Sequence, residues 1–214
     1  KKRSRVLLCA HWDSRPFSDQ EQDDSKKYLP IAGADDGASG VGVLLEIARL
    51  FSVHQPNIGV DIVLFDVEDY GKPDFYTEKV YTEHSWCLGS QFWSKNPHKI
   101  NYSARYGVLL DMVGASSATF RKEQISNYYA PKIVEKVWNK AKELGFSSCF
   151  LNEVGGAITD DHLYVNQLAR IPCIDIIRQD LNSETGFASY WHTQSDDMRN
   201  ISKETLYKVG QTLL

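Results

Sequence analysis

The stretch GADDGASGVGVLLEIARLF, residues 33–51, joins a tight turn to the start of a helix. Its first eight residues hold three glycines and two aspartates, a composition typical of turns. The apolar residues that follow have the three- and four-residue spacing of an amphipathic helix, namely Val43, Leu44, Ile47, Leu50 and Phe51. We therefore predict that the chain turns here into a helix with one face against a core.

Apolar runs lie on both sides of this helix. Residues Arg5–Ala10 read RVLLCA, and residues Val60–Phe65 read VDIVLF. The first run shows neither strict alternation nor helical spacing, as expected for a strand that is buried on both faces. A strand, a helix and a second strand in this order favour parallel pairing of the two strands.

The alternation of strands and helices continues to the end of the chain. Strands are predicted at Tyr106–Leu110 and Ile171–Ile177. Helices are predicted at Leu88–Ser94, Tyr129–Leu144, Asp161–Ala169 and Lys203–Leu214. We predict an α/β fold with a mixed, mostly parallel central sheet, helices on both faces, and one domain over residues 1–214. Because Lys1-Lys2-Arg3 leads directly into a strand, we expect an N-terminal segment of the full-length protein to be missing.

Composition limits the functions that this chain can have. Its 214 residues are 42% hydrophobic and carry a formal net charge of -4, which suits one well-packed domain. Basic residues are scattered among acids, which argues against nucleic acid or an anionic membrane as a partner. No apolar run reaches the length of a membrane span. The four cysteines form no C-x-x-C motif, so a zinc–thiolate site is not expected, and one disulfide remains open.

Acids and histidines follow the predicted strands, at the side of an α/β sheet where ligands bind. They are His11, Asp13, Asp35, Asp36, Glu68, Asp69, Asp111, Asp160, Asp161, His162 and His192. Carboxylates that are crowded without counter-charges repel one another, and a divalent cation relieves that repulsion. Mixed aspartate and histidine ligation suits zinc. The sequence therefore predicts a zinc site at this edge of the sheet.

Seven motifs along the chain carry a family resemblance. They are HWDS at 11–14, GADDGASG at 33–40, FDVEDYG at 65–71, CLGS at 87–90, LLDMVGA at 109–115, TDDH at 159–162 and YWHT at 190–193. Together they resemble the glutaminyl-peptide cyclotransferase branch, bacterial type, of the M28 zinc aminopeptidase-like family. The resemblance implies a zinc exopeptidase-like (phosphorylase/hydrolase-like) fold. It also implies an acyltransferase that converts N-terminal glutamine to pyroglutamate and releases ammonia.

The resemblance implies a metal site and a proton carrier. Asp36, Asp69 and His192 match the ligands of a single zinc ion. Asp69 stands where animal cyclases have glutamate, and its side chain is one methylene shorter, so its strand must lie closer to the metal. Glu68 matches the general acid/base of the reaction, which needs a pKa raised toward neutrality.

The resemblance also implies a substrate pocket. Asp111 and Asp160 match two acids that the cyclases hydrogen-bond together beside the substrate. Trp191 and Phe187 match aromatic residues that line the pocket. No counterpart of a further pocket tryptophan is assigned in the divergent loop Tyr70–Trp86, and the cysteine pair of the animal enzymes is absent.

A two-zinc aminopeptidase of the same family is the alternative interpretation, with His11 and Asp111 as additional ligands. Two features favour the cyclase. Asp160 can share a proton with Asp111, which would make Asp111 a poor ligand because ligands must be deprotonated. Trp191 directly precedes His192, as in the cyclases. A non-enzymatic interaction domain on the same fold would have lost ligands, and this chain has lost none.

Simpler roles are expected for several neighbouring residues. His11 is expected at the edge of the core, Asp13 as an orienting group, His162 as a structural hydrogen-bond partner and Asp175 as a paired acid in the core. The implied partners are peptides or proteins with N-terminal glutamine. The implied location is outside the cytoplasm, in the bacterial periplasm or attached to the outer membrane.

Overall fold

The computed structural model of this chain describes residues 4–77 and 84–214. The predicted opening Lys1-Lys2-Arg3 and residues 78–83 of the Tyr70–Trp86 loop lie outside the described residues. The elements are β1 (Arg5–His11), α1 (Ala38–Val53), β2 (Gly59–Phe65), α2 (Leu88–Lys95), β3 (Gly107–Asp111), β4 (Phe120–Lys122), α3 (Gln124–Tyr129), α4 (Pro131–Glu143), β5 (Phe150–Val154), α5 (Asp161–Gln167), β6 (Cys173–Ile177) and α6 (Lys203–Leu213).

The central sheet contains four described strands in the order β2–β1–β3–β6, and all of its pairings are parallel. The register places His11 beside Phe65 and Asp111 beside Ile177. The carboxyl ends of all four strands therefore reach the same edge of the sheet. The predicted α/β class with a mostly parallel sheet is confirmed.

Alternate residues of β1 face two separate cores. Val6, Leu8 and Ala10 pack in the core that contains α1, α4 and α6. Leu7 and Cys9 pack in the opposite core, which includes residues of α2 and α5. Helices thus cover both faces of the sheet, and burial on both sides explains why the run RVLLCA shows no polar alternation.

The region after β3 differs from the sequence prediction. The helix predicted at Tyr129–Leu144 is α4, which begins two residues later, at Pro131, and the short helix α3 (Gln124–Tyr129) before it was not predicted. Proline has no amide hydrogen and disfavours the helical conformation at the residue before it, and Ala130 accordingly has φ −139°. A second, two-stranded sheet formed by β4 and β5 was not predicted. Its first strand has only three residues, too few for a periodic pattern.

All four cysteines are buried and free, so the disulfide that the sequence left open does not form. The thiols of Cys9 and Cys149 instead donate hydrogen bonds to backbone carbonyl groups. Within the described ranges, no helix is both long and apolar enough to cross a membrane.

A candidate metal-dependent active site

A pocket with a volume of about 270 Å³ lies at the carboxyl edge of the central sheet. All eight residues that the sequence predicted for the site line this pocket: Glu68, Asp111, Asp160, Trp191, Phe187, Asp36, Asp69 and His192. They come from five separate segments of the chain. The parallel sheet brings these segments together because the carboxyl ends of its strands share one edge.

Asp36, Asp69 and His192 form a buried cluster in which one potential ligand atom from each lies within 4.8 Å of the other two. His192 Nε2 is 3.0 Å from Asp69 Oδ1 and 3.7 Å from Asp36 Oδ2. Asp69 Oδ2 is buried without a hydrogen-bond partner in the part of the chain that the structure describes. Two carboxylates and one imidazole are a donor set that fits a zinc ion with a further position open for substrate.

The cluster carries an excess of buried negative charge. Burial and the charge of Asp69 raise the pKa of Asp36 to about 8. For His192, burial lowers the pKa, but the charge of Asp69 and the hydrogen bonds to Asp19 and Asp69 outweigh burial and raise it to about 9. The same negative charge that holds a proton here would hold a divalent cation in its place.

Asp19 and Arg15 hold His192 and Asp69 in place, and sequence reasoning missed this role for both residues. Asp19 Oδ1 lies 3.3 Å from His192 Nδ1. Asp19 accepts two hydrogen bonds from Arg15, at 3.1 and 2.6 Å, and Arg15 donates to the backbone oxygen of Asp69 at 2.7 Å. An acid behind a metal-binding histidine fixes the orientation of its ring. Both residues come from the polar loop Ser14–Pro30, whose composition does not indicate burial.

The turn that carries Asp36 is held from the other side by Asp196. The Asp196 carboxylate accepts hydrogen bonds from the backbone amides of Asp35 and Asp36, at 2.9 and 3.1 Å. Gly37 has φ +93°, and a side chain there would place its Cβ 2.6 Å from the carbonyl oxygen of Asp13. Glycine is therefore required at this point of the turn.

A second cluster shares Asp36 with the first. His11 Nε2 lies 3.1 Å from Asp36 Oδ1 and 3.1 Å from Asp111 Oδ1. Burial lowers the pKa of the His11 imidazole, but its close contacts with the carboxylates of Asp111, Asp13 and Asp36 outweigh burial and raise the pKa well above the usual value. These three potential ligand atoms also lie within 4.8 Å of one another. His11 thus contacts two site acids directly, in a geometry that can accept a second cation with Asp36 as the bridge.

Asp160 differs from Asp111 in its contacts. Its Oδ1 accepts a hydrogen bond from the backbone amide of Asp161, and its buried Oδ2 has no partner among the described residues. Burial and the charge of Asp111 raise the pKa of Asp160 to about 6. Asp160 therefore holds a proton more readily than an ordinary aspartate, although within residues 4–77 and 84–214 no direct hydrogen bond joins it to Asp111.

His162 and Asp175 lie in the core together with Glu123, and none of the three is exposed. His162 Nε2 is 3.1 Å from Glu123 Oε2, and its Nδ1 is 3.8 Å from Asp175 Oδ2. Burial and the charge of Asp160 raise the pKa of Asp175 well above the usual value. Among the described residues neither carboxylate oxygen of Asp175 has a hydrogen-bond partner, so the expected pairing of this acid in the core is limited to its 3.8 Å contact with His162.

Aromatic side chains form one wall of the pocket. The rings of Trp191 and His192 are stacked with centroids 3.5 Å apart, and Phe187 packs on Trp191 at 4.6 Å. Trp86, which the sequence left unassigned, also lines the pocket and stacks on His192 at 6.1 Å. The guanidinium group of Arg15 lies 4.5 Å from the centre of the Trp86 ring. Such a wall suits an uncharged side chain rather than a charged one.

Glu68 has the properties of a proton carrier. Burial and the charge of Asp69 raise the pKa of its carboxyl group well above the usual value. The Cys87 thiol donates a hydrogen bond to Glu68 Oε1 at 3.1 Å. The Asp13 carboxylate accepts hydrogen bonds from the backbone amides of Glu68 and Asp69, at 3.1 and 3.0 Å. A carboxyl group with a raised pKa holds a proton more readily than an ordinary glutamate, as a general acid and base requires.

Comparisons with known proteins place the chain in a family. The sequence profile of peptidase family M28 matches residues 1–214. A Zn-dependent exopeptidase from Parabacteroides distasonis is 60% identical with a TM-score of 0.97, over 100% of this chain and 72% of that one. The glutaminyl cyclase of Tannerella forsythia is 57% identical with a TM-score of 0.96, over 99% of this chain and 72% of that one.

A more distant relative is aminopeptidase YwaD of Bacillus subtilis. It is 27% identical over 212 residues, which are 96% of this chain. The chain spans 38% of the length of that curated relative. Because the M28 profile matches from the first residue to the last, this chain belongs to peptidase family M28.

Proposed function

We propose that this chain is a single catalytic domain of a glutaminyl-peptide cyclotransferase, which converts the N-terminal glutamine of peptides and proteins to pyroglutamate with release of ammonia. The observation that carries the proposal is the stacking of Trp191 on His192, which places an uncharged aromatic wall directly beside the acid and imidazole cluster. A glutamine side chain has an apolar stem and an uncharged amide, so it matches this combination. The 57% identity to a glutaminyl cyclase supports the same function.

The proposed cofactor is one zinc ion per chain, held by Asp36, Asp69 and His192. The burial of all three side chains and the unpartnered Asp69 Oδ2 support this assignment. Zinc supplies Lewis acidity, which here would act on the γ-carboxamide oxygen of the substrate glutamine.

Proton transfer is assigned to Glu68. In this scheme Glu68 takes a proton from the α-ammonium group of the substrate, and the free amine attacks the carbon of the γ-carboxamide. The new C–N bond closes the lactam ring, and the attacking nitrogen loses its second proton to solvent. Glu68 returns the first proton to the amide nitrogen as the bond to that nitrogen breaks and ammonia departs. The acyl group passes from ammonia to the α-amine, so the enzyme is an acyltransferase.

The remaining pocket residues would bind and orient the substrate. Asp111 and Asp160 lie beside Glu68 and Asp36 in the pocket and are suited to hold the substrate amine. A proton on Asp160 would leave Asp111 as the single negative acceptor of the pair. Trp191 and Phe187 would pack on the glutamine stem and exclude water, which competes with the amine as a nucleophile.

A two-zinc aminopeptidase is the second candidate, because His11 Nε2 lies 3.1 Å from both Asp36 and Asp111. In that case the second cluster would also hold zinc, and the enzyme would consume water to release an N-terminal residue. The similarity to aminopeptidase YwaD fits this candidate.

A pair of assays on the zinc-loaded protein separates the two candidates. One assay follows ammonia release from a peptide that begins with glutamine, and the other follows amine release from a leucine anilide. The cyclase proposal expects ammonia release, negligible anilide hydrolysis and one bound zinc per chain by elemental analysis. Anilide hydrolysis without ammonia release, with two zinc ions per chain, would overturn it in favour of the aminopeptidase.

We also propose that the enzyme acts outside the cytoplasm, in the bacterial periplasm or attached to the outer membrane. This location is what the family resemblance implies. Fractionation of cells that express the full-length protein tests it, and activity confined to the cytoplasmic fraction would exclude it.

A further inference from the structure

Helix α2 begins against the loop that carries Glu68. The backbone amides of residues 87, 88 and 89 donate to the carbonyl oxygens of residues 68, 67 and 66, at 2.9, 3.0 and 2.9 Å. The first amides of a helix have no partner within the helix, so these three bonds satisfy them. A Cβ at Gly89 would lie 2.2 Å from the Asp66 carbonyl oxygen, so only glycine allows this contact. The backbone of the CLGS motif therefore holds the start of α2 against residues 66–68.

The first residue of this motif also contacts the Glu68 side chain. Cys87 is fully buried, and its Sγ donates to Glu68 Oε1 at 3.1 Å. Within the described ranges, no second hydrogen-bond donor reaches the Glu68 carboxylate. One carboxylate oxygen is thus fixed by the thiol, and the other is left for the substrate. Burial and the charge of Glu68 keep the pKa of the thiol well above its usual value, so Cys87 remains a donor.

We propose that Cys87 is a positioning residue for Glu68, which fixes one carboxylate oxygen so that the other meets the substrate amine. The inference rests on the proposed role of Glu68 as the proton carrier. A glutamate side chain has several rotatable bonds, and holding it in one rotamer before the reaction reduces the entropy lost in the transition state. A thiol is a weak donor, so it orients the carboxylate while removing little of the basicity that proton transfer requires.

A different use of Cys87 would be metal binding. Ligand atoms of Glu68, Cys87 and Asp160 lie within 4.8 Å of one another. A thiolate bound to zinc would have lost its proton and could not donate to Glu68. The zinc content of Cys87 variants therefore distinguishes the two roles.

Two substitutions of matched size test the hydrogen bond on the zinc-loaded enzyme. Cys87→Ala removes the donor, and Cys87→Ser restores a donor in nearly the same volume. We expect Cys87→Ala to lower kcat by about three- to tenfold, the loss that corresponds to one hydrogen bond, with KM within about twofold. We expect Cys87→Ser to recover most of kcat, and both variants to keep their zinc.

Cys149→Ala is the matched control, because Cys149 is also buried and donates to a backbone oxygen, that of Ala118, at 3.4 Å. It does not line the pocket, so its kcat should equal that of the wild type. If Cys87→Ala does not fold, Cys87→Gly removes the donor at a residue whose φ of +57° glycine adopts without strain, and it should show the same loss of kcat.

Three results would overturn the inference: an unchanged kcat in Cys87→Ala, equal kcat values for the Ala and Ser variants, or loss of zinc from Cys87→Ala. The rates are measured on whichever substrate the wild type uses, the glutamine peptide or the leucine anilide. Glu68 would carry the proton in both reactions, so an anilide-only enzyme would refute the cyclase proposal while still reporting on Cys87. A wild type that turns over neither substrate would refute both.

Discussion

The imidazole of His192 and the indole of Trp191 are stacked with centroids 3.5 Å apart and planes inclined by 22°. Adjacent side chains of an extended chain point to opposite sides, so this contact requires a bend. His192 provides it with φ +53°, a left-handed conformation that costs a non-glycine residue about 1–2 kcal/mol. This local strain places a ligand candidate and a pocket wall on the same surface.

Replacement of Trp191 by alanine should weaken substrate binding more than catalysis. The substitution removes the ring that packs on both His192 and Phe187. Loss of about 1.5–3 kcal/mol of apolar contact corresponds to a KM increase of roughly ten- to a hundredfold for a glutamine peptide. Phe92→Ala is the control, because Phe92 is an exposed aromatic residue that does not line the pocket. An unchanged KM in Trp191→Ala would remove Trp191 from the substrate pocket.

Substitution of His192 should change the metal content, and substitution of His11 should not. His192→Ala removes one of the three proposed ligands, so we expect the protein to lose its zinc after dialysis. His11→Ala leaves Asp36, Asp69 and His192 intact, and it should retain one zinc ion per chain. Elemental analysis of both dialysed variants measures this difference. If His11→Ala instead falls from two zinc ions to one, the cluster of His11, Asp36 and Asp111 holds a metal and the aminopeptidase is favoured.

Asp19 should control the affinity for zinc without binding it. Asp19→Asn weakens the contact to His192 Nδ1, which fixes the ring so that Nε2 faces Asp69. Loss of such a contact lowers metal affinity by about ten- to a hundredfold, which competition with a chelator measures. Asparagine retains an acceptor for the buried Arg15 and so limits the loss of stability. The control is Asp24→Asn, since the Asp24 side chain is 91% exposed and its zinc affinity should stay at the wild-type value.

Much of the fold could be predicted from local patterns in the sequence. The run RVLLCA and the helical spacing after Gly40 predicted β1 and α1 because burial on a sheet or a helix face imposes its own periodicity. The predicted start of α4 was two residues too early, although Pro131 marks the first residue of the helix, and α3 was missed because its six residues are too few for a helical pattern. The pair β4 and β5 was missed because its stability comes from contacts between distant segments, such as the packing of Phe120 on Phe150.

The site was predictable only where its residues carry a chemical pattern. Acids and histidines at strand ends indicated a zinc site, the family resemblance implied Asp36, Asp69 and His192 as its ligands, and the structure brings these three together. Asp19 and Arg15 were not assigned to the site, because a salt bridge within a polar loop resembles a surface pair until tertiary packing buries it. Cys87 lay in a motif of the resemblance, but a hydrogen bond to Glu68 depends on side-chain geometry that spacing does not reveal.

Glu123 is a buried acid outside the pocket, and the hydrogen bonds to its carboxylate stabilise the fold. Its side chain is fully buried. Its carboxylate accepts hydrogen bonds from the backbone amides of Ile125 and Ser126 at the start of α3, at 2.8 and 2.6 Å. Its Oε2 also lies 3.1 Å from His162 Nε2. Burial raises the pKa of Glu123, but the bond and charge of His162 and the two amides outweigh it and lower the pKa to about 2.

Glu123→Gln should therefore destabilise the protein in a pH-dependent way. The folded-state pKa of Glu123 lies below the unfolded value of 4.5, so its stabilising effect is complete above about pH 4.5 and is lost as the pH falls toward about 2. We expect the variant to lose about 1–3 kcal/mol of unfolding free energy at pH 7, with the difference from wild type shrinking below pH 4.5. Denaturant titrations at several pH values, in one zinc-containing buffer, measure this difference. The control is Glu153→Gln, at a side chain that is 60% exposed, and its unfolding free energy should change little at any pH. If the difference in unfolding free energy between Glu123→Gln and the wild type stayed constant with pH, the charge of Glu123 would not stabilise the fold.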